Sequence, residues 1–182
     1  MIYIGIDPGL TGAIAAVHVI DRTEILSRVE DMPFKASRES GEKGKSKRTV
    51  NKRVDGLQLS NMLEKMCEGA DGAGGRARVY IEEVWSNPNQ GVSSMFSFGF
   101  SYGVAVGVVE GMGFEPVLVR PGKWKKVFGL IGGEKVDSIP TAVGMYPELA
   151  DRLARKKDDG RADALLIATY AAVQGGDFVL PP

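Results

Sequence analysis

The sequence predicts an α/β domain built on a mixed β-sheet. Two observations predict it: three strand-like segments separated by tight turns begin the chain, and apolar helices alternate with strands afterwards. The chain has 182 residues, of which 43% are hydrophobic and 25% are charged, a composition typical of globular proteins and not of disordered chains. A chain of this length suits one domain, so we expect residues 1–182 to form a single unit.

The elements of this sheet and its helices follow in order. Short turns make the first three strands antiparallel neighbours, and they are predicted at residues 2–7, 11–20 and 24–30. Asp55 is suited to cap a helix with an apolar face that includes Leu59 and Leu63. Further strands are predicted at residues 78–84 and 114–119. Further helices are predicted at residues 93–111, near 124, at 138–145, 147–156 and 160–173. The result is a mixed five-stranded sheet flanked by helices.

Residues 32–54 show no periodicity and are rich in Gly, Ser and Lys. Between Lys35 and Arg53 the chain carries eight Lys or Arg and two Glu, although its overall net charge is +0. A segment this long exceeds an ordinary connection, so we expect a mobile basic loop that presents positive charge to a polyanion. A solvated loop without a ligand is the alternative.

The segment 92–109 contains no charged residue and has glycine at every fourth position from Gly99 onwards. A membrane span with a small-residue face is one interpretation. The favoured interpretation is a buried helix that packs on the sheet and against a second copy of the chain, because the segment begins with serines and adjoins ordinary strands. We therefore expect no membrane partner. The N-terminal residues lack the features of a signal peptide, so a cytoplasmic location is expected, with an organelle not excluded.

Four acidic residues stand at positions that favour a metal site. Asp7 ends the first strand and Glu82 ends an apolar strand, so the two meet at one sheet edge if these strands are neighbours. Asp159 and Asp163 lie one helical turn apart, and Asp163 precedes a wholly apolar run in which an uncompensated charge is costly. One His and one Cys exclude clusters of either residue, so the ligands are hard oxygens that suit Mg²⁺ or Mn²⁺. Two such ions would activate water and stabilise the leaving oxygen of a phosphodiester.

The structural alternative for these acids is local. Asp-Pro-Gly forms turns without any ligand, Asp159 could cap the last helix, and Asp163 could pair with Arg161 or a lysine.

Three motifs follow one another along the chain: Ile-Asp-Pro-Gly-Leu-Thr-Gly at 6–12, Ile-Glu-Glu-Val-Trp at 81–85 and Gly-Arg-Ala-Asp-Ala-Leu at 160–165. Together they resemble the signatures of RuvC-type Holliday junction resolvases, which belong to the RNase H-like nuclease superfamily. The resemblance spans about residues 1–173 and is closest to the phage and organelle branch. It implies an RNase H-like fold and a homodimeric endodeoxyribonuclease dependent on Mg²⁺ or Mn²⁺. Such an enzyme nicks two opposing strands of a four-way DNA junction symmetrically and leaves 5′-phosphate ends.

The resemblance assigns catalytic, metal-binding roles to Asp7, Glu82 and Asp163. The fourth acid departs from the family pattern, because bacterial members carry it at the position of Gly160. Asp159 is the nearest substitute on the same helical face, and Asp158 is the next.

The resemblance also implies residues that bind DNA. Trp85 stands where bacterial members have an aromatic residue near the junction centre, with a buried core tryptophan as the alternative. Lys125 and Lys135 fall in the family's lysine region and are expected to contact phosphates. The remaining expected contacts are Lys126, beside Lys125, and Lys47 and Arg48, in the basic loop.

Three other functions compete with this one. A broader branched-DNA or flap endonuclease would use the same residues. A non-catalytic module that binds DNA junctions would lack the acids, which are present here. A sugar-kinase-type phosphotransferase would need a second domain and a second phosphate loop, and this chain has neither.

Overall fold

The computed structural model describes residues 1–23, 25–36, 52–68, 77–85 and 91–181. The strands are β1 (Ile2–Asp7), β2 (Ala13–Val19), β3 (Ile25–Asp31), β4 (Phe34–Ala36), β5 (Lys52–Val54), β6 (Ala77–Glu82) and β7 (Val117–Val119). The α-helices are α1 (Gly56–Cys67), α2 (Val92–Gly111), α3 (Pro121–Val127), α4 (Ser138–Met145) and α5 (Asp159–Gln174). Short 3-10 helices occur at Lys135–Asp137, Pro147–Leu153 and Lys156–Asp158.

Five of the strands form one mixed sheet in the order β3-β2-β1-β6-β7. β2 is antiparallel to both β1 and β3, whereas β6 is parallel to both β1 and β7. The predicted mixed five-stranded sheet is therefore confirmed. In the parallel register Ile6 pairs with Ile81. Asp7 and Glu82, the next residue on each strand, therefore lie side by side at the same edge of the sheet.

A hydrophobic layer covers each face of the sheet. On one face, α5 and the helices near it bury Trp124 and Tyr146. On the other, α1 and α2 pack over the isoleucines of β1. The approach of α5 is unusually close, because a side chain at Gly5 would collide with the backbone of Ala164 and Ala168. Gly5 thus sets the depth at which α5 and its acids lie against β1.

The ends of the predicted basic loop differ from the expectation. Phe34 pairs with Val54 in a second, two-stranded sheet, β4–β5, and the Lys52 ammonium lies 4.3 Å from the centre of the Phe34 ring. Strands of three residues are too short to leave a periodic pattern, so the sequence did not reveal them. Residues 37–51, with Lys47 and Arg48, lie outside the described residues.

The long helix α2 is less buried than the sequence predicted. Within this chain it buries only Ser101, Ala105 and Val109, and 76% of Phe96 is exposed. A side chain added at any of the four glycines from Gly99 to Gly111 would meet open space. Among the described residues α2 is also the one helix long and apolar enough to cross a membrane by length and composition.

Candidate active site

The turn after β1 holds Asp7 at the sheet edge. The Gly9 amide donates a hydrogen bond to Asp7 Oδ1 at 3.0 Å, and the Gly12 amide donates to the Gly9 carbonyl at 2.9 Å. A Cβ atom at Gly12 would lie 2.7 Å from the carboxyl carbon of Asp7 and would collide with its backbone carbonyl. The turn therefore needs glycine here, since the chain folds back directly over the carboxylate.

Glu82 at the end of β6 is held by a residue that sequence analysis did not assign to the site. The indole of Trp124, which is fully buried in α3, donates a hydrogen bond from Nε1 to Glu82 Oε1 at 3.0 Å. Sequence analysis predicted only a short helix near Trp124, and nothing in its spacing indicated a partner in β6. The hydrogen bond fixes one carboxylate oxygen of Glu82 and leaves the other for a ligand.

Asp159 and Asp163 project from the first two turns of α5, and both are buried. Asp159 Oδ2 forms an ion pair with Lys135 Nζ at 2.5 Å. The buried Oδ1 of Asp163 has no hydrogen-bond partner among the described residues. A buried carboxylate oxygen without a donor is costly, so this atom marks a place for a cation or a proton.

The acids act on one another electrostatically. Burial, followed by the charge of Asp7, raises the pKa of Glu82 to about 7. Burial also raises the pKa of Asp163 to about 6, and Asp7 adds to this shift. The pKa of Asp7 itself is raised by burial and by Asp159, against the lowering effects of Gly9 and Lys135. These mutual shifts indicate that acids from β1, β6 and α5 lie close enough to influence one another.

The side chains are not arranged as a closed metal cage. Among the described residues, no three His, Cys, Asp or Glu side chains form a ready metal-binding group. Glu82 is turned towards the indole of Trp124, and Asp159 is turned towards Lys135. The donor set nevertheless fits a divalent cation, because it consists of hard oxygens whose mutual repulsion a cation relieves and includes the unpartnered Asp163 Oδ1.

The surroundings of α5 distinguish the candidates for the fourth acid. Asp158 accepts hydrogen bonds from Arg155, the closest at 2.7 Å, and its charge is already compensated. Asp159 is paired with Lys135, whose side chain is exposed, rather than with an arginine, and it lies one turn before Asp163. A side chain at Gly160 would collide with the Thr11 carbonyl, which explains why no acid stands there. This arrangement favours Asp159 over Asp158.

Among the residues that the structure describes, Asp163 forms no ion pair with Arg161 or with a lysine, as the local alternative required. Arg161 instead binds Asp31 at the end of β3 with two hydrogen bonds of 2.5 and 2.6 Å. Arg161 also donates to the Arg152 carbonyl at 2.8 Å. The arginine therefore connects the start of α5 to the sheet and does not pair with Asp163.

The expected DNA-binding residues that the structure describes differ in exposure and in their influence on the acids. Trp85 is 55% exposed and carries the Arg120 guanidinium 4.8 Å from its ring centre, so it is not a core tryptophan. Lys125 lies with its ammonium 5.3 Å from the centre of the Trp124 ring and lowers the pKa of Glu82 and Asp163. Lys126 is exposed on the same helix.

Comparison with known proteins supports the resemblance to RuvC-type resolvases that the three motifs indicated. No protein-family model matches the chain. The Holliday junction resolvase MOC1, chloroplastic, of Chlamydomonas reinhardtii is 36% identical over 93 residues, which are 50% of this chain and 10% of that protein. The chain thus spans about a tenth of the length of this curated relative.

Two solved structures have the same architecture. Thermus thermophilus RuvC superposes with a TM-score of 0.55 at 15% identity, covering 97% of this chain and 98% of that one. T. thermophilus RuvC in complex with a Holliday junction substrate superposes with a TM-score of 0.53 at 16% identity, covering 96% of each chain. The chain therefore has the RNase H-like fold of RuvC. Its similarity to the RuvC-type Holliday junction resolvases is confirmed, and the match to MOC1 extends this similarity to the organelle branch.

Proposed function

We propose that this chain is a metal-dependent endodeoxyribonuclease that resolves four-way DNA junctions, with residues 1–182 acting as a single nuclease domain. The observation that carries the proposal is the buried, unpartnered carboxylate oxygen of Asp163 in the same electrostatic cluster as Asp7 and Glu82. Acids that raise one another's pKa in a buried site are stable as anions only beside a cation. The similarity to MOC1 and the RuvC fold support a nuclease over other metal-binding proteins.

The proposed ligands of Mg²⁺, or of Mn²⁺ in its place, are Asp7, Glu82, Asp159 and Asp163, and two ions are expected in each site. A divalent cation supplies an acidic bound water and neutralises charge on the departing oxygen. The remaining residues orient the ligands. The Gly9 amide fixes one oxygen of Asp7, the Trp124 indole fixes one oxygen of Glu82, and the Lys125 ammonium moderates the repulsion between the acids.

The proposed DNA surface lies around this site. Trp85 follows Glu82 by three residues and is exposed, so its ring is available to stack on an unpaired base at the junction. Phosphate contacts are proposed for Lys125, Lys126, Lys135, Lys47 and Arg48. Because such contacts release counterions, binding should weaken steeply as salt concentration rises.

Symmetric cleavage requires two active sites at a fixed distance, and we propose that α2 joins two copies of the chain. Its open glycine face and the exposed Phe96 and Phe100 are apolar surface that this chain leaves uncovered. A twofold dimer buries such a surface against itself and orients two sites alike. Under this proposal α2 needs no membrane. The chloroplastic relative leaves an organellar location open beside the cytoplasmic one.

The decisive assay incubates the purified protein with a synthetic mobile four-way junction, a flap duplex and a linear duplex, with and without Mg²⁺. We expect paired nicks in opposite arms of the junction, with 5′-phosphates, and weaker cutting of the flap. Asp7→Asn should retain junction binding and lose cleavage. Equal cutting of the flap and the junction would point to a broader branched-DNA endonuclease. Binding without any metal-dependent cutting would point to a non-catalytic junction-binding module.

A further inference from the structure

The ammonium of Lys135 contacts one acid of the candidate active site and is close enough to influence the others. Its Nζ atom is 2.5 Å from Asp159 Oδ2, and its charge lowers the pKa of Asp7. In return, the pKa of Lys135 is raised, chiefly by Asp159 and further by Asp7 and Asp163. The side chain of Lys135 is 68% exposed whereas that of Asp159 is only 9% exposed, so the ammonium reaches the buried acid from the solvent side.

The backbone that carries Lys135 is held independently of this ion pair. Asp137 Oδ2 accepts a hydrogen bond of 2.8 Å from the Glu134 amide, and this cap fixes the 3-10 turn Lys135–Asp137. The preceding segment turns through Gly129 and Gly132, whose φ angles of 69° and 78° belong to the left-handed region. Lys135 can therefore leave Asp159 by rotation of its exposed side chain, without unfolding the turn.

We propose that Lys135 is the resident counter-ion of the metal-free acid cluster and that it competes with a divalent cation for Asp159. This inference rests on the metal site of the proposed function. The cation and the ammonium compensate the same carboxylate, so binding of one displaces the other from Asp159 Oδ2. The released ammonium is then available to a DNA phosphate. Because such coupling is reciprocal, a phosphate that draws Lys135 away should also strengthen metal binding.

Lys125 provides a matched control for this competition. It is also a cation beside the acids, since it lowers the pKa of Asp7, Glu82 and Asp163. Its ammonium lies over the Trp124 ring and forms no ion pair with an acid within the part of the chain that the structure describes. Loss of either lysine removes one positive charge near the site, but only loss of Lys135 frees a ligand oxygen.

The experiment measures Mn²⁺ affinity of the DNA-free protein from the electron paramagnetic resonance signal of free Mn²⁺ at constant ionic strength. Lys135→Gln should bind Mn²⁺ roughly tenfold more tightly than the unchanged protein, a coupling within the usual range. Lys125→Gln should gain roughly threefold or less, because only a screened charge is lost. Lys135→Arg keeps the cation and should remain close to the unchanged protein. Thermal unfolding of each variant confirms that it is folded.

Two results would overturn the competition while leaving the metal site intact. One is Mn²⁺ binding by Lys135→Gln that is no tighter than that of the unchanged protein. The other is an equal gain in Lys125→Gln, which would reduce the effect to general electrostatic repulsion. A different result tests the proposed function: if the unchanged protein and Lys135→Gln bind Mn²⁺ no better than Asp7→Asn, there is no metal site at the acids, and this inference fails with it.

Discussion

Replacement of Asp163 by asparagine should stabilise the metal-free protein. The pKa of this carboxyl is about 6 in the folded chain, against 3.8 for the ordinary group, and burial is the main cause. The unfolded chain therefore loses its proton at lower pH than the folded chain, so the free energy of unfolding falls as pH rises from 3.8 to about 6. The two pKa values differ by about 2 units, so at about 1.4 kcal/mol per unit the penalty above pH 6 is about 3 kcal/mol.

Asparagine has nearly the shape of the protonated acid and carries no charge, so Asp163→Asn removes this penalty. Urea unfolding in the presence of a chelator should show a gain of about 3 kcal/mol at pH 8 and about half of that at pH 5. Asp151→Asn, at an exposed position, is the control and should change little. A gain that is absent at pH 8, or equal at both pH values, would refute the reasoning. With Mg²⁺ present, the unchanged protein should have the higher free energy of unfolding, because the cation stabilises only the protein that binds it.

Three further predictions test the surroundings of the acids. Trp124→Phe keeps an aromatic core but removes the hydrogen-bond donor to Glu82, so the pKa of Glu82 should rise above about 7. Mn²⁺ affinity measured at a series of pH values should then begin to fall at a higher pH than in the unchanged protein. Gly160→Ala should lower the free energy of unfolding by about 2 kcal/mol or more, because its Cβ meets backbone, whereas Gly144→Ala, which faces open space in α4, should be neutral or stabilising. Trp85→Ala should leave thermal stability unchanged and weaken junction binding by about 1–3 kcal/mol in a titration, and unchanged affinity would remove its stacking role.

The fold was largely predictable because its strands and helices are marked by local patterns. The turn at Asp-Pro-Gly, the N-cap at Asp55 and the apolar run after Asp163 each fix an element boundary. The structure confirms Asp55 as the cap of α1, since its carboxylate accepts from the amides of Leu57 and Gln58. The three-residue strands β4 and β5 lack such a pattern, and only pairing in three dimensions defines them.

For the candidate site, the sequence indicated the candidate acids but not the residues that contact them. Strand ends placed Asp7 and Glu82 at one sheet edge if their strands are neighbours, and helical spacing placed Asp159 and Asp163 on one face. The resemblance to RuvC-type resolvases then grouped these acids in one site. The hydrogen bond from Trp124 and the attachment of Arg161 to Asp31 join residues far apart in the chain, and no local spacing encodes them. The same holds for the exposure of α2, since its apolar sequence does not show which surface covers it.

The most direct test of the account is a crystal of the protein soaked in Mn²⁺ and examined by anomalous scattering. The account predicts an anomalous peak from Mn²⁺ bound by Asp7 and by Asp163 Oδ1, the oxygen without a hydrogen-bond partner among the described residues, with Glu82 in the same cluster. Anomalous peaks for Mn²⁺ at other surface sites, with no peak among these carboxylates, would contradict it.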